Sequence, residues 1–295
     1  METPSVPVPY EDREAVIIGD RFTQELARYG WQLQHVRQPY TDPLVLRQPW
    51  LSCPNGSRYR ERDLYRHLLS TSCRHALRRL LERLPCPYGD LLASSGGLPS
   101  GAFLQLLLDQ ELLLRQETSV VVGPGLACLH NLGHTLEWLV AEWLRLYCLE
   151  HYNRLVPVRH SVRLNFPPIP GDLDVLAFLD EGPLLIECKS RARVIEESHF
   201  LHFAEQVKLL RPCVAIFLID TEAPLPSVRV QQCARALREA GLAPLQGSQG
   251  FYFTAQCLYL VNTSARLDVR LAEVLADARR RWLQPLLNQA PAASV

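Results

Sequence analysis

The spacing of apolar side chains changes character near Gly123-Pro124-Gly125. Upstream, Leu64, Leu68, Leu77, Leu80 and Leu81 stand at helical intervals within residues 57–83, which predicts a helical stretch there. A short helix then ends at Gly96-Gly97, and Pro99 sits where a new one begins, carrying Phe103, Leu104, Leu107 and Leu108. Residues 112–122 read as a hairpin. Helix, helix, turn, helix and a two-stranded wing is the order of a winged helix-turn-helix. Residues 1–56 are rich in proline and turn formers, with one short helical stretch at 21–29, and predict an irregular arm or small subdomain.

Downstream the pattern alternates between helix and strand. Residues 129–150 form one strong helix, 156–166 an alternating strand, and 172–178 and 184–189 two more strands around a turn at Asp180-Glu181-Gly182-Pro183. Helix 198–210, strand 213–219, helix 227–240 and strand 251–262 follow, and a helix over 267–283 is expected to end at Pro285. The fold class is therefore α/β, a mixed β-sheet flanked by helices, preceded by a small winged-helix-like α+β domain. The expected divisions are an arm or subdomain at 1–56, the winged-helix-like domain at 57–125, the α/β domain at 126–265, and a C-terminal helix and tail at 266–295.

Composition narrows the classes. The chain has 295 residues, 47% of them hydrophobic, with 31 basic and 31 acidic side chains. A balanced charge argues against a wholesale electrostatic binder of nucleic acid and leaves room for a local basic patch. No apolar run approaches a membrane span and the first residues lack a signal-peptide layout, so a cytoplasmic protein with no membrane partner is expected. The nine cysteines are scattered and never fall as C-x-x-C, which disfavours disulfide frameworks and zinc knuckles. Lysine occurs only at Lys189 and Lys208. The most basic stretch is 57–83, where Arg74, Arg78 and Arg79 are candidate phosphate contacts. The would-be recognition helix at 100–110 carries no Arg or Lys, so packing or dimerisation is expected of it before DNA reading.

The chemistry-bearing residues sit in strands that otherwise read as buried. Alternation places Glu187 and Lys189 on one face of their strand, and Asp172 and Asp174 on one face of the strand before it. Charges in buried strands cost several kcal/mol each unless paired or bound to metal. Glu137 falls within the apolar arc of its helix, with Val140, Ala141 and Leu144. Carboxylates and an ammonium converging from adjacent strands suit a hard divalent cation, Mg²⁺ or Mn²⁺. A neighbouring ion pair is the plainer reading of Glu187 and Lys189 taken alone. His134 is read more readily as a cap or packed ring than as a ligand.

In this order Gly-x-x-x-Glu on a helix, Gly-Asp-Leu-Asp-Val, and Ile-Glu-Cys-Lys-Ser before a further helix resemble the PD-(D/E)xK nuclease superfamily. Within it the match looks closest to the nuclease half of CRISPR-associated effectors activated by cyclic oligoadenylate. The resemblance spans about residues 126–262 and extends weakly back to residue 57. It implies that Asp174 and Glu187 hold the metal with the Cys188 backbone carbonyl, and that Glu137 completes the shell directly or through water. Lys189 would position and help deprotonate the attacking water, with Gln206 an auxiliary contact; a solvated polar position is as good a reading of Gln206. Asp-Leu-Asp replaces the usual Pro-Asp, so Asp172 competes with Asp174 for the ligand role. The roughly 56 residues before the basic helix are short for the effectors' Rossmann-like sensing domain, so activation by a cyclic oligonucleotide is not expected of them. The implied function is metal-dependent cleavage of phosphodiester bonds, of DNA before RNA, in defence, restriction or repair. A non-catalytic nucleic-acid-binding or scaffold protein is the alternative, and there is room for a homodimer or an activating partner protein.

Overall fold

The runs PLLI and VAIFLI carry no polar alternation, and both lie in the middle of a sheet where neither face meets water. The computed structural model describes residues 21–36, 64–87, 101–123, 132–154, 156–169, 171–247, 251–255 and 257–289. The first elements are helix α1 (21–28), strand β1 (Gln32–Val36), helix α2 (64–68), helix α3 (Thr71–Arg83) and strand β2 (Cys86–Pro87). Helix α4 (Gly101–Asp109) leads into a hairpin, β3 (Leu113–Gln116) and β4 (Ser119–Val122). Helix α5 (Leu132–Tyr152), strands β5 (Val158–Phe166), β6 (Leu173–Leu179) and β7 (Gly182–Lys189), helix α6 (Glu197–Leu210) and strand β8 (Val214–Ile219) follow. Helix α7 (Ser227–Glu239), strands β9 (Gln246–Gly247), β10 (Phe251–Phe253) and β11 (Leu258–Asn262), and helix α8 (Leu267–Gln289) complete the order.

The large sheet runs β1-β5-β6-β7-β8-β11-β10-β9. The β7–β8 and β8–β11 pairs are parallel and the other neighbours antiparallel, so the sheet is mixed with helices on both faces. A separate three-stranded sheet runs β2-β4-β3. One core joins Leu77, Leu107, Val120 and Leu139 to Val175, Ile186 and Tyr259. The other joins Leu26, Phe200, Phe203 and Ala236 to Leu185, Phe217 and Leu260. The first of these crosses the expected boundary near residue 125, so the helical segment and the α/β sheet share buried side chains. Among the described residues, no helix is long and apolar enough to cross a membrane.

Several expectations change. The stretch read as continuous through 57–83 is interrupted at Leu69-Ser70, because its backbone is drawn into pairing with the start of α8. Leu267 N–H donates to the Leu69 carbonyl at 2.9 Å, and Thr71 N–H to the Ala265 carbonyl at 3.1 Å. Residues 21–36, expected in an arm, belong to the α/β body: Phe22 and Leu26 enter the second core and β1 pairs with β5. Strand 251–262 is two antiparallel strands, since Thr254 and Leu258 close a turn with Cys257 at φ +56°. Helix α8 continues past Pro285 to Gln289; a proline forfeits one backbone hydrogen bond, and no second breaker flanks it. The short helix expected to end at Gly96-Gly97, with Pro99, lies outside the described residues.

Candidate active site

Register assembles the site. Val175 of β6 faces Ile186 of β7, so one step further out Asp174 faces Glu187. On the other side His160 faces Val175 and Val162 faces Leu173, which puts Ser161 opposite Asp174. Ser161, Asp174 and Glu187 thus form a row across three strands. Helix α5 supplies Glu137 from the layer beside it. This helix ends where Asn153 takes a left-handed φ of +50°.

Each carboxylate is gripped by a protein donor. The Cys188 N–H donates to Asp174 Oδ2 at 2.7 Å, and Lys189 Nζ lies 2.5 Å from Glu187 Oε1. The Ser161 hydroxyl donates to Glu137 Oε2 at 2.6 Å, while His134 Nδ1 lies 3.3 Å from Oε1 of the same group. Glu137 and Glu187 are buried, and Asp174 and Lys189 half-buried. Burial, then the Glu187 and Glu137 charges, push the Asp174 carboxyl well above the usual carboxylate range against the pull of Lys189 and the Cys188 N–H. Burial also raises Glu187, opposed by Lys189. For Lys189 burial works downward, but Glu187 and Asp174 together outweigh it and hold the ammonium protonated. Burial raises the Cys188 thiol, which therefore stays a neutral core group.

The cluster fits a divalent cation in charge and donor type. Three carboxylates influence one another with a single ammonium among them, leaving excess negative charge in a poorly solvated place, and all are hard oxygen donors. Among the described residues no three His, Cys, Asp or Glu side chains form a ready-made cage. The structure ties the Cys188 N–H to the site.

Other expected residues sort differently. Asp172 precedes β6 and pairs with Arg163 of β5, Nε to Oδ1 3.5 Å, while Asp174 meets the β7 backbone. Gln206 is buried at 3% exposure, which overturns its reading as a solvated position. Lys208 is exposed on α6. Arg74 corrects the phosphate-contact expectation: it is 3% exposed, and its guanidinium binds Asp220 at 2.6 Å, Thr71 at 2.9 Å and the Leu68 carbonyl at 2.5 Å. Arg78 is half-buried, 3.5 Å from the same Asp220; of the three arginines only Arg79 is exposed. Asp220 follows β8 and its N–H donates to the Lys189 carbonyl at 2.8 Å, so this network abuts the end of the site strand.

Sequence reasoning missed Ser161, His199 and His202. His199 and His202 share a helical face with Gln206 at spacings of three and seven, a polar stripe beside Phe200, Phe203 and Val207 that the sequence does display. His199 Nδ1 accepts the Glu196 N–H at 3.0 Å within a capping box, which leaves the ring proton on Nε2. Burial and the nearby Lys189 lower its pKa below the usual histidine value, and His202 in turn eases ionisation of Glu187.

No family model matches the chain, and no curated protein matches it. Among solved structures it is similar to Can2 from Sulfobacillus thermosulfidooxidans in complex with cyclic tetra-adenylate, at 14% identity and a TM-score of 0.44, over 86% of this chain and 61% of that one. It is also similar to protein VC1899 from Vibrio cholerae, at 15% identity and a TM-score of 0.42, over 89% of this chain and 60% of that one. The chain thus spans about three fifths of the length of either structure.

Proposed function

We propose that this chain is a metal-dependent nuclease of the PD-(D/E)xK kind that hydrolyses phosphodiester bonds, with DNA as the first substrate to consider. The observation that carries the reading is the Lys189 ammonium seated on buried Glu187 beside Asp174, in a cluster with more carboxylate than ammonium charge. Asp174 and Glu187 would hold Mg²⁺ or Mn²⁺, and Glu137 would join them directly or through water. When bound, such an ion supplies an acidified water and neutralises charge growing on the phosphate.

The chain's own groups do the rest. Lys189 is held protonated, so its Nζ serves as a donor to the attacking water or to a non-bridging phosphate oxygen and does not act as the base. The Cys188 N–H fixes the Asp174 carboxylate without a flexible side chain. The Nε2–H of His199 is available as a second donor on the α6 side. Hydrolysis forms one P–O bond from water and breaks one to the leaving sugar oxygen, which takes a proton.

Supercoiled, linear and single-stranded DNA, and RNA, incubated with Mg²⁺ or Mn²⁺ against EDTA, test the reading. Metal-dependent cleavage of any of them, lost with EDTA and in Asp174→Ala, is expected, and the preferred arm names the substrate. Cleavage in none contradicts it and favours the scaffold alternative; cleavage retained by Asp174→Ala contradicts the assignment of the site.

A further inference from the structure

Strand β5 does not keep one alternation along its length. Val158 packs in the core shared with α5, whereas Val162 and Leu164, of the same parity, pack in the core on the opposite face. The change of phase falls at Ser161, which is buried at 3% exposure with φ at +51°. A non-glycine residue in that region inside a strand is sparsely populated and persists only where its surroundings enforce it. Strand β6 changes phase at the facing position: Leu173 lies in one core and Val175 in the other, with Asp174 between them. Residues 160, 161 and 162 are consequently all buried, and the Ser161 hydroxyl reaches helix α5, where it donates to Glu137 at 2.6 Å.

Glu137 belongs to the α5 layer, while the neighbouring carboxylates lie on strand ends. The shared kink at Ser161 and Asp174 is where the two layers meet. We propose that Ser161 is a positioning residue: its left-handed backbone aims the hydroxyl at Glu137 and holds that carboxylate beside Asp174 and Glu187, in place to receive a divalent cation. This rests on the nuclease reading above. The second Glu137 oxygen lies 3.3 Å from His134 Nδ1. His160 Nδ1, 3.4 Å from the Ser161 oxygen, sits behind the donor. A serine buried only to fill space would have no need of a strained backbone to reach that helix.

Two substitutions separate the hydroxyl from the backbone. Ser161→Gly removes the hydroxyl and adopts the left-handed conformation without strain, whereas Ser161→Ala removes it and keeps the strain. Mn²⁺ titration calorimetry and metal-free thermal melts read both. The expected result is an affinity for Mn²⁺ about tenfold weaker in each, the scale for losing a group that orients a metal ligand. Ser161→Gly melts at or above the wild type and above Ser161→Ala. In a Glu137→Gln background, Ser161→Gly causes no further loss of affinity. Wild-type Mn²⁺ affinity in Ser161→Gly overturns the proposal, as does an undiminished loss in the Glu137→Gln background. A wild type that binds no Mn²⁺ removes the metal reading and this proposal together; a wild type that binds, with Ser161→Gly unchanged, removes this proposal only.

Discussion

At Asp174, burial and two neighbouring carboxylates act against ionisation, and an ammonium and one backbone N–H act for it. The folded carboxyl therefore holds its proton to higher pH than the unfolded one, whose pKa is about 4. The stability contributed by the protonated form is present in full below that value and is lost as pH rises through the raised folded pKa. Asp174→Asn, which keeps an oxygen acceptor for the Cys188 N–H, should melt above the metal-free wild type at pH 8. The difference should shrink toward pH 4; a difference independent of pH contradicts the assignment of a raised pKa to this carboxyl. Lys189 permits a separate test at the same scale. Lys189→Arg keeps the charge but replaces a compact ammonium, 2.5 Å from Glu187, with a wide planar group. Cleavage should fall about 10²-fold or more while the fold persists. Near-normal cleavage would reduce Lys189 to an ion-pair partner, since arginine pairs with carboxylates at least as well.

Arg74, Arg78 and Arg79 of helix α3 read as equals in the sequence, and the structure gives them different work. Arg74 and Asp220 are both buried, and removing one partner of such a pair costs about 3–5 kcal/mol because the other charge is left uncompensated. Arg74→Gln should therefore appear as a large shift in the urea midpoint. Exposed Arg79 should behave oppositely, with stability within about 0.5 kcal/mol of wild type in Arg79→Gln. If it meets a phosphate, the slope of log affinity against log salt for duplex DNA flattens by about 0.9. A stable Arg74→Gln that binds DNA more weakly would reverse this assignment. The distinction was illegible from sequence because Asp220 lies 146 residues from Arg74, and helical spacing says nothing of a partner that distant. The break at Leu69-Ser70 has the same origin, in a pairing with α8.

For the whole molecule, the central strands were the legible part. Uninterrupted apolar runs at β7 and β8, and the turn at Asp180-Glu181 between β6 and β7, locate the middle of the sheet by composition alone. The charges planted in β6 and β7 point to Asp174, Glu187 and Lys189, and an apolar arc points to Glu137; the electrostatics of Asp174 couple it to the other three. Ser161 was illegible because Val158, His160, Val162 and Leu164 read as one uninterrupted alternation, and the phase change depends on what lies on the adjacent strand and helix. The place of β1 at the sheet edge was hidden for a related reason: five residues bracketed by turn-rich sequence carry too little pattern to announce a pairing with a strand more than 120 residues away. The proposed divalent cation would bind where these elements converge. Titration calorimetry with Mn²⁺ on the wild type and on an Asp174→Ala, Glu187→Ala double variant tests it most directly. Saturable binding is expected of the wild type and none of the double variant, which should melt at or above the metal-free wild type because mutually repelling buried anions are gone. Equal Mn²⁺ affinity in the two proteins would contradict it.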